Sequence, residues 1–324
     1  MSSLIFTLER HPKQKWGLYG SYVMAAANLG TLLGGVVATI LRRSLTDEQL
    51  YAWGWRIPFL SGILVSISGF YLKNHGGDDE GHHGHGNGSP SQANSDSPNP
   101  IRLAFSRSNI RSLLAASMVP LLWSSGFYLT FVWMAVYMAD LIETPVPNSF
   151  AVNSASLAFS VCLFFPVAGW MSDKVGRKKV MSVGGLVMAV GSPIMLKMIG
   201  TGDATTAFCA QMVLGISLSL WGAPMMAWLA EAFEPAARLT SVSIGYNIAQ
   251  ACGGGLAPAI ATELVDRVGV ESPGYYITII ASIALVGLIC IAPRSPVHFS
   301  VLSSKEEEES QTNSRDTRGD RELI

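Results

Sequence analysis

Two residues of opposite charge that lie four positions apart, Asp173 and Arg177, have the clearest chemistry in this chain. They belong to the motif Gly169-Trp-Met-Ser-Asp173-Lys174-Val-Gly176-Arg177-Lys178-Lys179. A carboxylate stabilises the N-terminus of a helix, and a guanidinium beside it fixes its position. We predict that Asp173 pairs with Arg177 and caps a neighbouring helix, as a gate latch. The alternative is that the basic residues only set the topology of a membrane protein.

Three other residues of the motif complete the predicted gate. Gly169 would let the neighbouring helix come close, and Gly176 would allow a tight turn. Lys178 adds to the positive charge of the turn, which holds four cations within six positions. A loop of this charge beside apolar segments is expected on the cytoplasmic side of a membrane.

The composition is that of a membrane protein. The chain has 324 residues, of which 49% are hydrophobic and 14% are charged, and its mean hydropathy is +0.34. Soluble domains carry about a quarter charged residues. The net charge of −1 gives no reason to expect a nucleic-acid partner. The sequence lacks a phosphate-binding loop, a hydrolase nucleophile elbow and a zinc-protease helix, so we predict a non-enzymatic protein that needs no cofactor.

Eight segments are long and apolar enough to cross a bilayer, since a span needs roughly 20 such residues. They are residues 17–41, 55–72, 112–139, 150–171, 180–199, 205–229, 240–262 and 274–292. With the 172–179 loop inside, alternation of the spans places 17 of the 22 Lys and Arg residues on the same side. We therefore predict an all-α, multi-pass membrane protein with both termini in the cytoplasm.

A stretch of unusual composition divides the chain. Residues 74–110 begin with a run rich in Gly, Ser, Asn, Asp and Pro, which predicts a disordered linker. The linker separates two spans in residues 1–73 from six in residues 111–295, and residues 296–324 form a second predicted disordered tail.

The linker also contains a cluster of residues with metal-ligand chemistry: Asp78, Asp79, Glu80, His82, His83 and His85. Tracts rich in His can bind zinc. Glycine separates these residues, however, and nothing nearby would fix a tetrahedral geometry. We therefore predict a solvated linker and no metal site.

Polar and aromatic residues recur on single faces of several predicted spans. The candidates for lining a solute cavity are Ser124, Tyr128, Asn153, Trp221, Asn247 and Gln250. Such a cavity would bind a small polar solute, and aromatic rings could hold a quaternary ammonium group by cation–π attraction. The alternative is hydrogen bonding between helices and anchoring of aromatic rings at the membrane interface. Arg56, at the start of the second span, is a candidate for an outer gate or for an interaction with lipid headgroups.

Two similar motifs precede the first and the seventh predicted spans: Glu9-x-x-Pro12-x-x-Lys15 and Glu231-x-x-x-Pro235-x-x-Arg238. Parallel repeats of this kind relate the two halves of some transporters. This single pair of aligned motifs suggests such a repeat but does not establish it.

The 169–179 motif resembles the loop signature of the major facilitator superfamily. The segments Glu9–Ser21 and Trp53-Gly54-Trp55-Arg56-Ile57-Pro58-Phe59-Leu60 resemble its metabolite:proton symporter branch, which includes proline/betaine, α-ketoglutarate, citrate and shikimate transporters. The resemblance covers nearly all of residues 5–295 apart from the linker. It implies that the eight spans match helices five to twelve of a twelve-helix fold. Residues 1–73 are then a remnant of an N-terminal bundle, and we expect a shortened chain rather than a complete eight-helix transporter.

The resemblance implies proton-coupled symport of a small organic solute, such as an organic acid, an amino acid or a betaine-like compound. The plasma membrane is the prior expectation for its location. The residues themselves offer no clear ionisable side chain inside a span, where proton relays usually lie. A non-transporting remnant or membrane scaffold of the same fold remains an alternative. A sugar-porter-like facilitator is a further alternative, disfavoured by the Gly-Trp-Arg-Ile-Pro-Phe turn. The sequence does not indicate an oligomeric state.

Overall fold

The computed structural model describes residues 2–60, 104–106, 109–233 and 235–292, with a few helical positions between 62 and 71. These residues form helices and turns, and they contain no strand. The predicted linker over 74–110 and the predicted tail over 296–324 lie wholly or mostly outside them, as does the cluster of His residues. Most of the predicted second span beyond Leu60 lies outside them too.

Within residues 2–60, the structure contains four α-helices: α1 (Ser2–Glu9), α2 (Trp16–Ser44), α3 (Asp47–Gln49) and α4 (Arg56–Leu60). A 3₁₀ turn over Lys13–Lys15 leads into α2, and a π-helical turn over Leu50–Gly54 precedes α4. The long helix α2 begins without a side-chain cap of its own, because the preceding Lys15 has no acceptor to offer.

Among the described residues, the second part contains six long helices, four of which carry π-helical turns. α5 begins as Ile110–Phe127 and continues through Tyr128–Trp133 and Met134–Val136 to Tyr137–Leu141. α6 comprises Ser149–Leu157, Ala158–Leu163 and Phe164–Val175. α7 is Arg177–Ile199 and α8 is Ala204–Glu231. α9 comprises Pro235–Ala249, Gln250–Gly255 and Ala257–Arg267, and α10 comprises Ser272–Val286 and Gly287–Ile291.

Seven helices in the described part of the chain are long and apolar enough to cross a membrane. They are Lys13–Ser44, Ile110–Leu141, Ser149–Val175, Arg177–Ile199, Ala204–Glu231, Arg238–Arg267 and Ser272–Ile291. Each contains most of one predicted span. The prediction of an all-α, polytopic helix bundle is confirmed.

The core of the bundle surrounds α8. In its most apolar stretch, 78% of the residues are buried, against 11% for α2. Small residues bring the helices around it together: a Cβ on Gly185 of α7 would lie 2.6 Å from the Trp221 ring, and one on Gly222 would lie 2.5 Å from the Trp123 ring. Contact between helices in a membrane relies on such close packing, because lipid is as apolar as the core.

Hydrogen bonds between α5, α6 and α8 secure a π-helical turn of α5. Asn153 donates to the Phe131 carbonyl at 2.9 Å, and Gln211 donates to the Thr130 carbonyl and to Asn153 Oδ1, each at 2.6 Å. A π-helical turn leaves carbonyl groups without their usual partner in the helix, so donors on neighbouring helices satisfy them. These buried amides hold the local shape of α5.

The connection from α7 to α8 is a tight turn that ends in a helix cap. Gly202 adopts φ +80°, and Asp203 accepts a hydrogen bond from the Thr206 N–H at 2.7 Å. The bond from the Thr206 backbone lowers the pKa of the Asp203 carboxyl below its ordinary value. The start of α8 is therefore fixed by a side chain of its own loop.

Candidate functional site

The turn between α6 and α7 reverses the chain within one residue. α6 ends at Val175, Gly176 adopts φ +106° and ψ +139°, and α7 begins at Arg177. A residue with a side chain would be strained in this conformation. The glycine therefore sets the position of Asp173 relative to the first turn of α7.

Asp173 lies at the N-terminus of α2. Its Oδ1 accepts the Gly17 N–H and its Oδ2 accepts the Leu18 N–H, both at 2.9 Å. These N–H groups belong to the first turn of α2, which has no partner for them within the helix. A carboxylate at this position is also stabilised by the positive end of the helix dipole. The helix that Asp173 caps is therefore α2, about 155 residues away along the chain.

Two glycines allow α2 and α6 to touch along their backbones. A Cβ on Gly17 would lie 2.5 Å from the Gly169 carbonyl oxygen, and a Cβ on Gly169 would collide with the Gly17 carbonyl and lie 2.5 Å from Ser21 Oγ. Side chains at either position would separate the helices. The close approach places the first turn of α2 within reach of Asp173.

Arg177 joins the carboxylate to a second acidic residue. Its guanidinium is 9% exposed and forms ion pairs with Asp173 and, at 3.2 Å, with Glu231 at the end of α8. It also donates to Ser172 Oγ at 2.8 Å. Arginine can serve three acceptors because its donors lie in a planar fork, which a lysine lacks. We call the set Gly17, Leu18, Gly169, Asp173 and Arg177 the α2–α6 clasp.

A second ion pair lies at the same end of the helices. Arg238 of α9 binds Glu9 of α1 at 2.8 Å and lies over the Trp16 ring, with 5.5 Å between Cζ and the ring centroid. Sequence reasoning did not predict the partners of Glu9 and Glu231. The pair of similar motifs could have indicated these ion pairs, because each motif has an acidic residue at a helix end a few positions before a proline.

Lys178 lies apart from the clasp carboxylate. Its ammonium donates to the Ala292 carbonyl at 3.2 Å, at the end of α10. Arg111 binds the same end of α10: its guanidinium donates hydrogen bonds to the Ile291 carbonyl at 2.8 Å and to the Cys290 carbonyl at 3.0 Å. Cations at the C-terminus of a helix satisfy free carbonyls and oppose the negative end of the dipole.

Four of the six predicted cavity residues lie near the middle of α5 and α9. Ser124 and Tyr128 are one turn apart on α5, while Asn247 and Gln250 lie on adjacent turns of α9. Tyr128 is 37% exposed and Asn247 is exposed. We call these four residues the α5–α9 wall.

Trp221 and Asn153 lie elsewhere, inside the bundle. The Trp221 ring is fully buried and its Nε1–H donates to the Val119 carbonyl at 3.2 Å. Asn153 bonds to α5 and α8, as described above. Both side chains form hydrogen bonds between helices, and their role in lining a cavity stays a prediction.

Arg56 has local contacts within the described residues. Its guanidinium lies 4.6 Å from the centroid of the Trp55 ring and donates to the Ala52 carbonyl. A role at an outer gate stays a prediction. In the described part of the chain, no group of three or more His, Cys, Asp or Glu residues is arranged to hold a metal ion.

We predict that Gly169→Ala weakens the clasp, because the added methyl would push α2 away from α6. The cost of such overpacking is about 1–3 kcal/mol, which a lower thermal midpoint in detergent would reveal. Gly191→Ala in α7 is the matched control, since a Cβ there would meet only Val187 of its own helix, at 3.9 Å. A midpoint that falls equally in both variants would contradict the role of the Gly17–Gly169 contact.

Comparison with known proteins agrees with the fold. The family model described as Major Facilitator Superfamily matches residues 144–322, more than half of the chain. The inner membrane metabolite transport protein YhjE of Escherichia coli (strain K12) is 27% identical over 292 residues, covering 88% of this chain and 64% of the relative. A putative proline/betaine transporter of Staphylococcus haemolyticus is 24% identical over 296 residues, covering 90% and 60%.

A putative metabolite transport protein of Haemophilus influenzae is 25% identical over 301 residues, covering 88% of this chain and 64% of the relative. The chain thus spans less than two thirds of the length of these curated relatives. The resemblance predicted from the loop and helix motifs is confirmed. This chain belongs to the major facilitator superfamily.

Proposed function

We propose that this protein is a secondary transporter that moves a small organic solute across a membrane by alternating access. Two lines of support exist besides the family. The relatives described above are named as metabolite or putative proline/betaine transporters. The clasp is also the kind of contact that such a mechanism requires.

The α2–α6 clasp is the observation that carries this proposal. Alternating access needs contacts that hold two groups of helices together in one state and release them in the other. The clasp joins α2 to α6 through hydrogen bonds and an ion pair, while only 11% of the most apolar stretch of α2 is buried. Polar contacts at a helix end can therefore decide whether α2 stays in place.

The strength of the clasp suits a switch. Hydrogen bonds to a charged group make a net contribution of about 1.5–3 kcal/mol each. A net stabilisation of a few kcal/mol is about the amount by which ligand binding can shift a two-state equilibrium. In this mechanism, the intact clasp favours the state that is closed at its own end of the helices.

Orientation follows from the charge of the turn. The clasp end carries Lys174, Lys178 and Lys179, so it faces the cytoplasm by the positive-inside rule. Both chain termini are then cytoplasmic, and the intact clasp favours the outward-open state. We propose the plasma membrane as its location, by analogy with the relative that is named as an inner membrane transport protein. Proton coupling rests on the likeness to symporters, because the span interiors of this chain contain no clear ionisable side chain.

Uptake into liposomes tests the function. We expect purified protein to take up at least one compound from a panel of amino acids, betaines and carboxylates, and Asp173→Asn to lower uptake about tenfold, since about 1.4 kcal/mol of clasp energy would be lost. Asp266→Asn, an exposed aspartate near the end of α9, is the matched control and should retain normal uptake. No uptake of any compound by a folded preparation would instead support a non-transporting scaffold.

Labelling from one side of the membrane tests the orientation. In a variant without the native cysteines, we expect Lys174→Cys to react with a membrane-impermeant maleimide in inverted vesicles and to be protected in intact cells. Asp266→Cys, at the opposite end of the helices, should show the reverse pattern. Reaction at position 174 in intact cells would invert the proposed topology.

A further inference from the structure

A cavity lies between α2 and α6 at the end opposite the clasp. α2 runs from the clasp to Ser44, and α6 begins near that far end and runs back to the clasp. The cavity has a volume of about 170 Å³, and its lining includes Thr39, Arg42 and Arg43 of α2 and Asn148, Ser149 and Phe150 of α6. Because one water occupies about 30 Å³ of liquid, this space suits a group of a few heavy atoms rather than a whole metabolite.

Both arginines of the cavity reach from α2 to the start of α6. Arg43 donates a hydrogen bond to Asn148 Oδ1 at 2.9 Å, and the Arg42 guanidinium lies over the Phe150 ring, with 4.3 Å between Cζ and the ring centroid. A guanidinium has five N–H donors, so a single bond to an amide leaves most of the Arg43 fork available. The two cations are therefore held at the cavity with donors to spare.

Neither arginine is neutralised by a carboxylate. In the part of the chain that the structure describes, Arg42 and Arg43 form no ion pair, although Asp140 follows a cavity residue of α5. Arg267, at the same end of the helices, does pair with Glu263. The positive-inside rule disfavours cations at this end, which faces outward in the proposed orientation. Topology therefore gives no reason for two adjacent unpaired positive charges here.

The start of α6 adds to the positive potential of the cavity. Asn148 precedes the helix with φ +55°, and its side chain binds Arg43 instead of capping the helix. The first N–H groups of α6 have no partner within the helix, and the dipole makes this end positive. Two guanidinium groups beside a helix N-terminus form a combination that attracts an oxyanion.

The depth of the cavity matches that of lipid phosphates. From Gly17 to Arg42, α2 advances by 25 positions, or about 38 Å at a rise of 1.5 Å per residue. The hydrocarbon core of a bilayer is about 30 Å thick, and headgroups bring the total to about 40–45 Å. With the clasp at one interface, both arginines thus lie in the headgroup layer of the other leaflet.

We propose that this cavity binds a phosphate group through Arg42, Arg43 and the first N–H groups of α6. The phosphate of an anionic phospholipid and free inorganic phosphate share this chemistry, and the experiment below distinguishes the two sources. A bound phosphate bridges α2 and α6 at the end opposite the clasp. The site goes beyond the proposed function and does not depend on which solute is transported.

Native mass spectrometry of the full chain in detergent tests the site with two lipids that have the same acyl chains. Dioleoylphosphatidylglycerol carries a phosphate, and dioleoylglycerol does not. We expect the first phosphatidylglycerol to bind at least about tenfold more tightly than the neutral lipid, because charge-assisted hydrogen bonds hold its phosphate. Titration of inorganic phosphate into phospholipid-free protein, followed by thermophoresis, is the second arm.

Two double variants separate a guanidinium site from a general effect of charge. Arg42→Gln with Arg43→Gln should weaken phosphatidylglycerol binding about tenfold, and Arg42→Lys with Arg43→Lys about threefold, because lysine lacks the planar fork. Lys197→Gln with Arg267→Gln is the matched control, since it removes two positive charges from exposed residues at the same end of the helices. This control should stay within about twofold of the native protein. Circular dichroism establishes that each variant is folded.

The two arms identify the source of the phosphate. Phosphatidylglycerol binding that the glutamine pair at positions 42 and 43 weakens supports a lipid headgroup, and inorganic phosphate binding that the same pair weakens supports free phosphate. The inference is overturned if neither probe binds, or if the glutamine pair leaves the binding unchanged. Full affinity in the lysine pair, or an equal loss in the control at positions 197 and 267, would also overturn it, since any surface cation would then serve.

Discussion

The carboxylate of Asp173 lies where the dipole of α2 is most positive, and each of its oxygens accepts a backbone N–H of the first turn. Only 11% of the most apolar stretch of α2 is buried, so this polar contact adds to a limited packing of α2 against α6 and α8. The neighbouring residues support the contact between Asp173 and α2. Gly17 and Gly169 let the backbones meet, Gly176 turns the chain, and Arg177 holds the carboxylate.

The two ends of the helices and their middle have different chemistry. Ion pairs gather at the clasp end, where Glu9, Glu231 and Arg238 connect α1, α8 and α9 to the same region. The middle of α5 and α9 is uncharged, and Ser124 Oγ and Gln250 Oε1 there lack hydrogen-bond partners among the described residues. The charged contacts that we propose to control the conformational state therefore lie at a helix end, away from the uncharged middle of the bundle.

The spans and the Asp173–Arg177 pair could be predicted because both are local: hydropathy acts over one helix, and four residues make one helical turn. The capped helix could not be identified, since α2 is far away in sequence and any uncapped N-terminus would serve. The direction in which each helix face points was harder still to predict. Each π-helical turn inserts an extra residue, which rotates the following residues by about 100° relative to a 3.6-residue period. Asn153 and Trp221 shared the composition of the wall, but tertiary packing placed them inside.

Hydrogen–deuterium exchange of the peptide that contains Gly17 and Leu18 tests the central contact most directly, because it reports on the two N–H groups that Asp173 accepts. We expect slow exchange of these amides in nanodiscs and much faster exchange in Asp173→Asn, with the rest of α2 changing little. Equal exchange in the two proteins would contradict it, because Asp173 would then not be the partner that holds α2 in place.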